Sequence, residues 1–192
     1  MRTRVKALLL GGALAMLVLA PGGPAEGASN VHAMKVYVGY ADGLRTDPTI
    51  PSPWEGDDGV IFRGGGTIFD AGAIRIANPS ARPLSIDDVS VAIGSATYDP
   101  WGPYPIVVPG KGSLILTQTV EFDFDTSEAG GAATCDPSGV IPVIHIVVGS
   151  RHAKTRTFLD KHQVLNTGGV DSGTCGGGVN EGIPWTRIHG HD

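Results

Sequence analysis

The chain of 192 residues is predicted to be all-β: a two-sheet sandwich of roughly eight strands behind an N-terminal signal peptide. Three observations carry this. After residue 30 no segment sustains the three-to-four-residue apolar period of a helix. Apolar residues instead alternate, or run for a few positions only, as strand residues do. And 29 glycines and 14 prolines interrupt these runs often enough to leave only short elements between turns.

The first stretch lies outside the predicted fold. It has a basic start (Arg2, Arg4, Lys6), an apolar run from Ala7 to Ala20, then small residues. The run is too short to span a bilayer and fits a secretory leader. Ala25-Glu26-Gly27 places cleavage near Gly27, which gives residues 1–27 as signal peptide, 28–188 as the sandwich and 189–192 as a short tail. A secreted, extracellular product with no membrane span in the mature chain is the expectation. About 165 residues remain, enough for one domain with a real core. Losing three basic residues and one acidic residue with the leader takes the formal charge from −5 to −7. Nucleic acid is therefore not an expected partner, since its binders carry clustered Lys and Arg. The only cysteines, Cys135 and Cys175, lie in Gly-rich sequence with no base nearby, so one disulfide is expected rather than a reactive thiol.

The elements follow in order. "KVYVGY" (35–40) opens the strands and "GVIFRG" (59–64) continues them, across a long surface loop dense in turn residues. In "AIRIA" (73–77), Ile74 and Ile76 face one way and Ala73, Arg75 and Ala77 the other. Asn78-Pro79-Ser80 turns the chain into a strand whose apolar set changes parity, from Leu84 and Ile86 to Val89, Val91 and Ile93. One extra residue at Asp87-Asp88, a β-bulge, would restore a single inward face. Pro109-Gly110-Lys111-Gly112 makes the next turn. A long strand is expected after it, with Leu114, Leu116, Val120, Phe122 and Phe124 on one face and Thr117, Thr119, Glu121, Asp123 and Asp125 on the other. "VIPVIHIVVG" (140–149) is apolar on both faces, which predicts a central strand starting near Pro142. "TRTFLD" and "HQVLN" are read as short strands and "IPWTRI" (183–188) as the last.

The order of "NPSARPLSIDDVSV", an aromatic turn, "VVPGKGSLILTQ" and a late "NEGIPWTRI" resembles lamin-tail-type immunoglobulin-like domains. The likeness covers about residues 68 to 188. The tryptophan frequent in that family's second strand is missing, with Asp88-Val89 in its place, and the Cys135 and Cys175 segments are additions. The chain is also similar to secreted bacterial proteins of unknown function. The resemblance implies an immunoglobulin-like sandwich and an extracellular binding or surface-associated role, and it carries no catalytic residue over to this chain.

Four groups of residues are candidates for chemistry. "FDFDTSE" (122–128) puts Asp123 and Asp125 on one strand face, where with Glu128 they offer oxygens to calcium, although Glu128 stands where an EF-hand loop needs glycine. A solvated strand face explains the same pattern, and no cofactor is expected beyond that possible structural calcium. Paired carboxylates also raise a small extracellular hydrolase working through Asp123 or Asp125. Trp54, Trp101 and Tyr104, in loop-like sequence beside prolines, are the residues expected to stack on a sugar if the domain binds carbohydrate. Finally, His145 reads as a half-buried strand residue, the basic stretch 150–162 as a hairpin face, and His189, His191 and Asp192 as a terminal set too loose to hold a metal. The expected activity is binding, not catalysis, with an extracellular ligand or cell-surface component as partner.

Overall fold

The computed structural model describes residues 34–122, 135–136, 138–149, 153–171, 175 and 181–191. The leader, and with it the predicted cleavage site, lies outside them. The described chain forms ten strands and a two-residue terminal one: β1 (Lys35–Asp42), β2 (Val60–Arg63), β3 (Asp70–Ala77), β4 (Leu84–Ile93), β5 (Ala96–Tyr98), β6 (Ile106–Val108), β7 (Ser113–Leu116), β8 (Val143–Val148), β9 (Lys154–Leu159), β10 (Ile183–Ile188) and β11 (Gly190–His191). They make two sheets packed as a sandwich. The first runs β10-β1-β3-β7-β2, and the second runs β11-β9-β8-β4-β5, with β6 also on β4. All pairings are antiparallel except that of β2 with β7.

The core is the set of inward rows that period-two alternation predicts. Val36, Val38, Ile74, Ile76, Leu114 and Leu116 come from the first sheet, and Ile86, Val89, Val91, Ile144, Ile146 and Phe158 come from the second. Burial of each such side chain contributes about 1.5–3 kcal/mol, and together they hold the sheets face to face. The parity change in β4 is resolved by a bulge: Ile86 pairs with Val148 and Asp88 with Val147, so the register slips by one residue at Asp87. Leu84, Ile86, Val89, Val91 and Ile93 are then all buried on one face, and the paired aspartates are half-buried on the other side. β8 lies between β4 and β9, beginning one residue after Pro142.

Asn78 locks two turns together. Its side-chain amide donates to the carbonyls of Arg82, Val108 and Pro109 at 2.8, 3.2 and 3.0 Å, and its oxygen accepts from the Ser80 amide at 3.2 Å. The second turn presses so close that a Cβ at Gly110 would lie 2.2 Å from the Ala81 carbonyl oxygen, so only glycine fits there.

Three expectations are corrected. The long strand after Gly112 ends at Leu116, because Thr117 and Gln118 turn their hydrogen bonds to other segments. Thr117 Oγ1 donates to the Gly72 carbonyl at 3.0 Å, while Gln118 accepts from the Asp70 amide at 2.9 Å and donates to the Ile68 carbonyl at 2.8 Å. A turn follows, with the Thr119 amide bonded to the Phe122 carbonyl, so Val120 and Phe122 are 85% and 60% exposed rather than inward. "HQVLN" is not a strand. Asp160 accepts from the Leu165 amide at 2.8 Å and closes a turn that continues into a single 3-10 turn, Thr167–Gly169, with Val164 and Leu165 plugged into the core. The C-terminal tail is also not loose up to His191, since Gly190 and His191 pair with Phe158 and Thr157.

Candidate functional site

The loop between β1 and β2 covers the outer face of the first sheet. Ala41, Ala73 and Ile115 sit on the outward side of their strands and are nevertheless fully buried. The cover is built on Gly39: a Cβ there would lie 3.0 Å from the Trp185 ring and 3.2 Å from Pro51, so a bare backbone position lets both close over the sheet. Trp185 donates its indole N–H to the Pro53 carbonyl at 3.1 Å, which fixes ring and loop to each other.

On this base stands an aromatic cluster. Trp54 stacks on Trp185 with ring centroids 5.9 Å apart and planes inclined by 29°. It meets Phe62 and Phe69 edge-on at 5.3 and 5.5 Å, and those two meet each other at 5.7 Å. Offset-stacked and edge-to-face pairs are the arrangements that the ring quadrupole favours. A tight turn holds Trp54 in place, its amide donating to the Asp57 carboxylate at 2.8 Å and its carbonyl accepting from the Asp57 amide at 3.2 Å. All four rings are half-buried, and the Trp54 indole N–H, shielded from solvent, has no hydrogen-bond partner among the described residues.

The predicted sugar-stacking trio is thus not one site. Trp54 belongs to the aromatic cluster. Trp101 is 1% exposed and donates its indole N–H to the Thr117 carbonyl at 2.7 Å, so its faces are packed in the core and cannot stack on a ligand. Tyr104 is half-buried with its hydroxyl toward the Val89 carbonyl at 3.4 Å; burial, then the nearby charge of Asp88, pushes its phenol up to about 12. Sequence reasoning missed Trp185 and the two phenylalanines as partners of Trp54. The one available signal was the shared outward parity of Phe62 with Gly39 and Ile115, and it could not be used without knowing which strands pair.

The other candidates divide in the same way. Cys135 and Cys175 are joined as a disulfide across 40 residues. Asp123, Asp125 and Glu128 lie outside the described residues. His145 is half-buried, with Nδ1 3.2 Å from the Thr157 hydroxyl, as a strand residue would be. Among the described residues no three His, Cys, Asp or Glu side chains converge as metal ligands, and no helix is long and apolar enough to cross a membrane.

An ionic cluster that the sequence did not signal ties the covering loop to the start of β10. The Asp42 carboxylate, fully buried, accepts from the amides of Leu44 and Glu181 at 3.1 and 2.8 Å. Arg45 stands 3.6 Å from Asp42 and 3.9 Å from Glu181. Asp42 and Glu181 are 139 residues apart, so only the fold brings them together. Compared with protein-family models, with curated proteins and with solved structures, the chain matches none.

Proposed function

We propose that this protein is a secreted, non-catalytic binding or surface-associated module of immunoglobulin-like type, whose partner is an extracellular ligand or cell-surface component. The observation that supports it is the Trp54–Trp185 stack, a half-exposed aromatic ledge mounted on a rigid sheet by Gly39, Pro51 and the Asp57 turn. Rings held in this way present apolar area without losing rotamer freedom on binding. The same ledge favours carbohydrate as the ligand class, since the C–H face of a sugar matches an aromatic face. The resemblance to secreted bacterial domains and the disulfide fit an oxidising, extracellular setting.

The test is tryptophan emission of residues 28–192 titrated with a panel of soluble glycans and with whole-cell envelopes. The reading expects a saturable change with at least one of them, lost on Trp54→Ala while the melting temperature holds. No response across the panel sinks the carbohydrate reading. Release of product from any glycan, abolished by Asp123→Asn or Asp125→Asn, replaces the binding module with a hydrolase.

A further inference from the structure

We propose that the outer face of the first sheet takes an acidic polysaccharide, whose carboxylate or sulfate groups are bound beside the aromatic ledge by Arg75, Arg187 and Lys35. This rests on the carbohydrate reading above and deepens it by giving the glycan a charge.

The three cations gather around one tyrosine. Tyr37 faces outward on β1, opposite Arg187 of β10 on one side and Arg75 of β3 on the other. Lys35 has the same outward parity two residues earlier on β1. Facing residues of neighbouring strands stand about 5 Å apart and alternate residues of one strand about 7 Å apart, so all three border the Tyr37 position. The five strands of this sheet hold only two acids, Asp42 and Asp70, and both have the inward parity. The covering loop adds Glu55, Asp57 and Asp58, yet none of the three cations forms an ion pair among the described residues. In a chain of formal charge −5, this face is a local reversal of sign.

The central cation is fixed before any ligand arrives. The Arg75 guanidinium lies over the Tyr37 ring, 5.2 Å from its centroid, and its Nε donates to the buried Ser113 hydroxyl at 3.1 Å. Both Nη groups keep their donors free of partners among the described residues. A guanidinium held on two sides loses little freedom on binding, and its planar donors match the oxygens of a carboxylate or sulfate.

The neighbouring rings favour a glycan over other polyanions. Arg187 lies two residues beyond Trp185 on β10, and Tyr37 lies two residues before Gly39, over which the Trp185 ring closes. The cations therefore adjoin the ledge of the Trp54–Trp185 stack. They are spread over β3, β1 and β10 and not gathered in one pocket, which suits a chain with acid groups at intervals better than a single small anion. An acidic polysaccharide brings ring faces for the ledge and charges for the row. An acidic peptide or an anionic lipid surface brings the charges alone.

The experiment measures binding of residues 28–192 to immobilised dextran sulfate, polygalacturonate, neutral dextran, polyglutamate and phosphatidylglycerol vesicles. The proposal expects saturable binding to at least one of the two acidic polysaccharides, with neutral dextran, polyglutamate and vesicles each about tenfold weaker or more. Changing Lys35→Gln and Arg187→Gln together should weaken it by about tenfold. Neither side chain makes an internal bond, so the melting temperature of that variant should hold. Arg75→Lys keeps the charge without the fork and should fall between the parent and Arg75→Gln. Lys161→Gln, which removes an exposed cation just after β9 in the other sheet, should change nothing. Equal binding of polyglutamate or vesicles, unchanged binding by the double variant, or an equal loss from Lys161→Gln overturns the proposal. Neutral dextran bound as tightly as its sulfate, with both lost on Trp54→Ala, strikes the charge and leaves the carbohydrate reading standing. No binding to any polysaccharide, with tryptophan emission silent across the wider panel, removes both.

Discussion

The indole N–H of Trp101 reaches the backbone carbonyl of Thr117 at 2.7 Å, and this bond joins a loop of the second sheet to the point where the last inner strand of the first sheet ends. Among the described residues this is the largest fully buried side chain, and the hydrogen bond orients it at the mouth of the sandwich.

Removing that ring should be the most damaging single core change. Trp101→Ala is expected to lower stability by about 3–5 kcal/mol through cavity formation. Trp101→Phe keeps most of the apolar volume but leaves the Thr117 carbonyl without its donor, which costs about 1–3 kcal/mol. Urea unfolding of the two variants separates the contributions; a Phe variant as stable as the parent would show that the bond adds nothing.

Asn78 should be nearly as sensitive, although it sits in a turn. Asn78→Ala strips donors from the carbonyls of Arg82, Val108 and Pro109 and should cost about 2–3 kcal/mol. Asn78→Asp should be worse at neutral pH, because it sets a carboxylate against those same carbonyl oxygens. Thermal melts at neutral pH rank the three proteins, and an Asp variant as stable as the Ala variant would refute the account.

Arg45 stands between two buried carboxylates, 3.6 Å from Asp42 and 3.9 Å from Glu181. Arg45→Met should cost about 3 kcal/mol, most of it the penalty of leaving the buried Asp42 carboxylate without its cation beside Glu181. Adding Glu181→Gln should then restore part of the loss. A double-mutant cycle by denaturant unfolding measures this, and purely additive losses would mean that the three groups do not act as a unit.

Asp160 sets the sign of one pH effect. Burial pushes its carboxyl above the ordinary 3.8, against the pull of the Leu165, Val164 and His162 amides and the His162 charge. The folded state therefore holds the proton more tightly than the unfolded chain does. Its contribution is fully present below the unfolded value and is lost as the pH rises through the folded one. Asp160→Asn cannot titrate, so this part of the slope should disappear from its curve of melting temperature against pH. Identical slopes in parent and variant would show that the group does not titrate in that window.

The strand rows and the bulge were legible because they depend only on parity. Which side of a strand Leu84 or Val91 occupies follows from counting, and a parity break at Asp87-Asp88 has one cheap solution in a sheet that must bury one face. Counting failed after Leu116 because the same even positions hold Gln118, whose amide serves the backbone of Ile68 and Asp70 across some fifty residues. The candidate site was half legible. Trp54 stood out as an aromatic in a loop, but nothing local distinguished it from Trp101.

An all-β chain, the inward rows, the place of the bulge, the central strand and the pair of cysteines that closes can all be read from the order of the amino acids. Each follows from the period of side-chain direction or from a count of two. Strand order and loop packing set the rest: Trp101 is buried while Trp54 remains half-exposed, Trp185 lies under Trp54, and Asp42 meets Glu181 across 139 residues. Alternation says which residues share a face; what covers that face is set by strand order and by loops folding back from distant parts of the chain, and no local period encodes either.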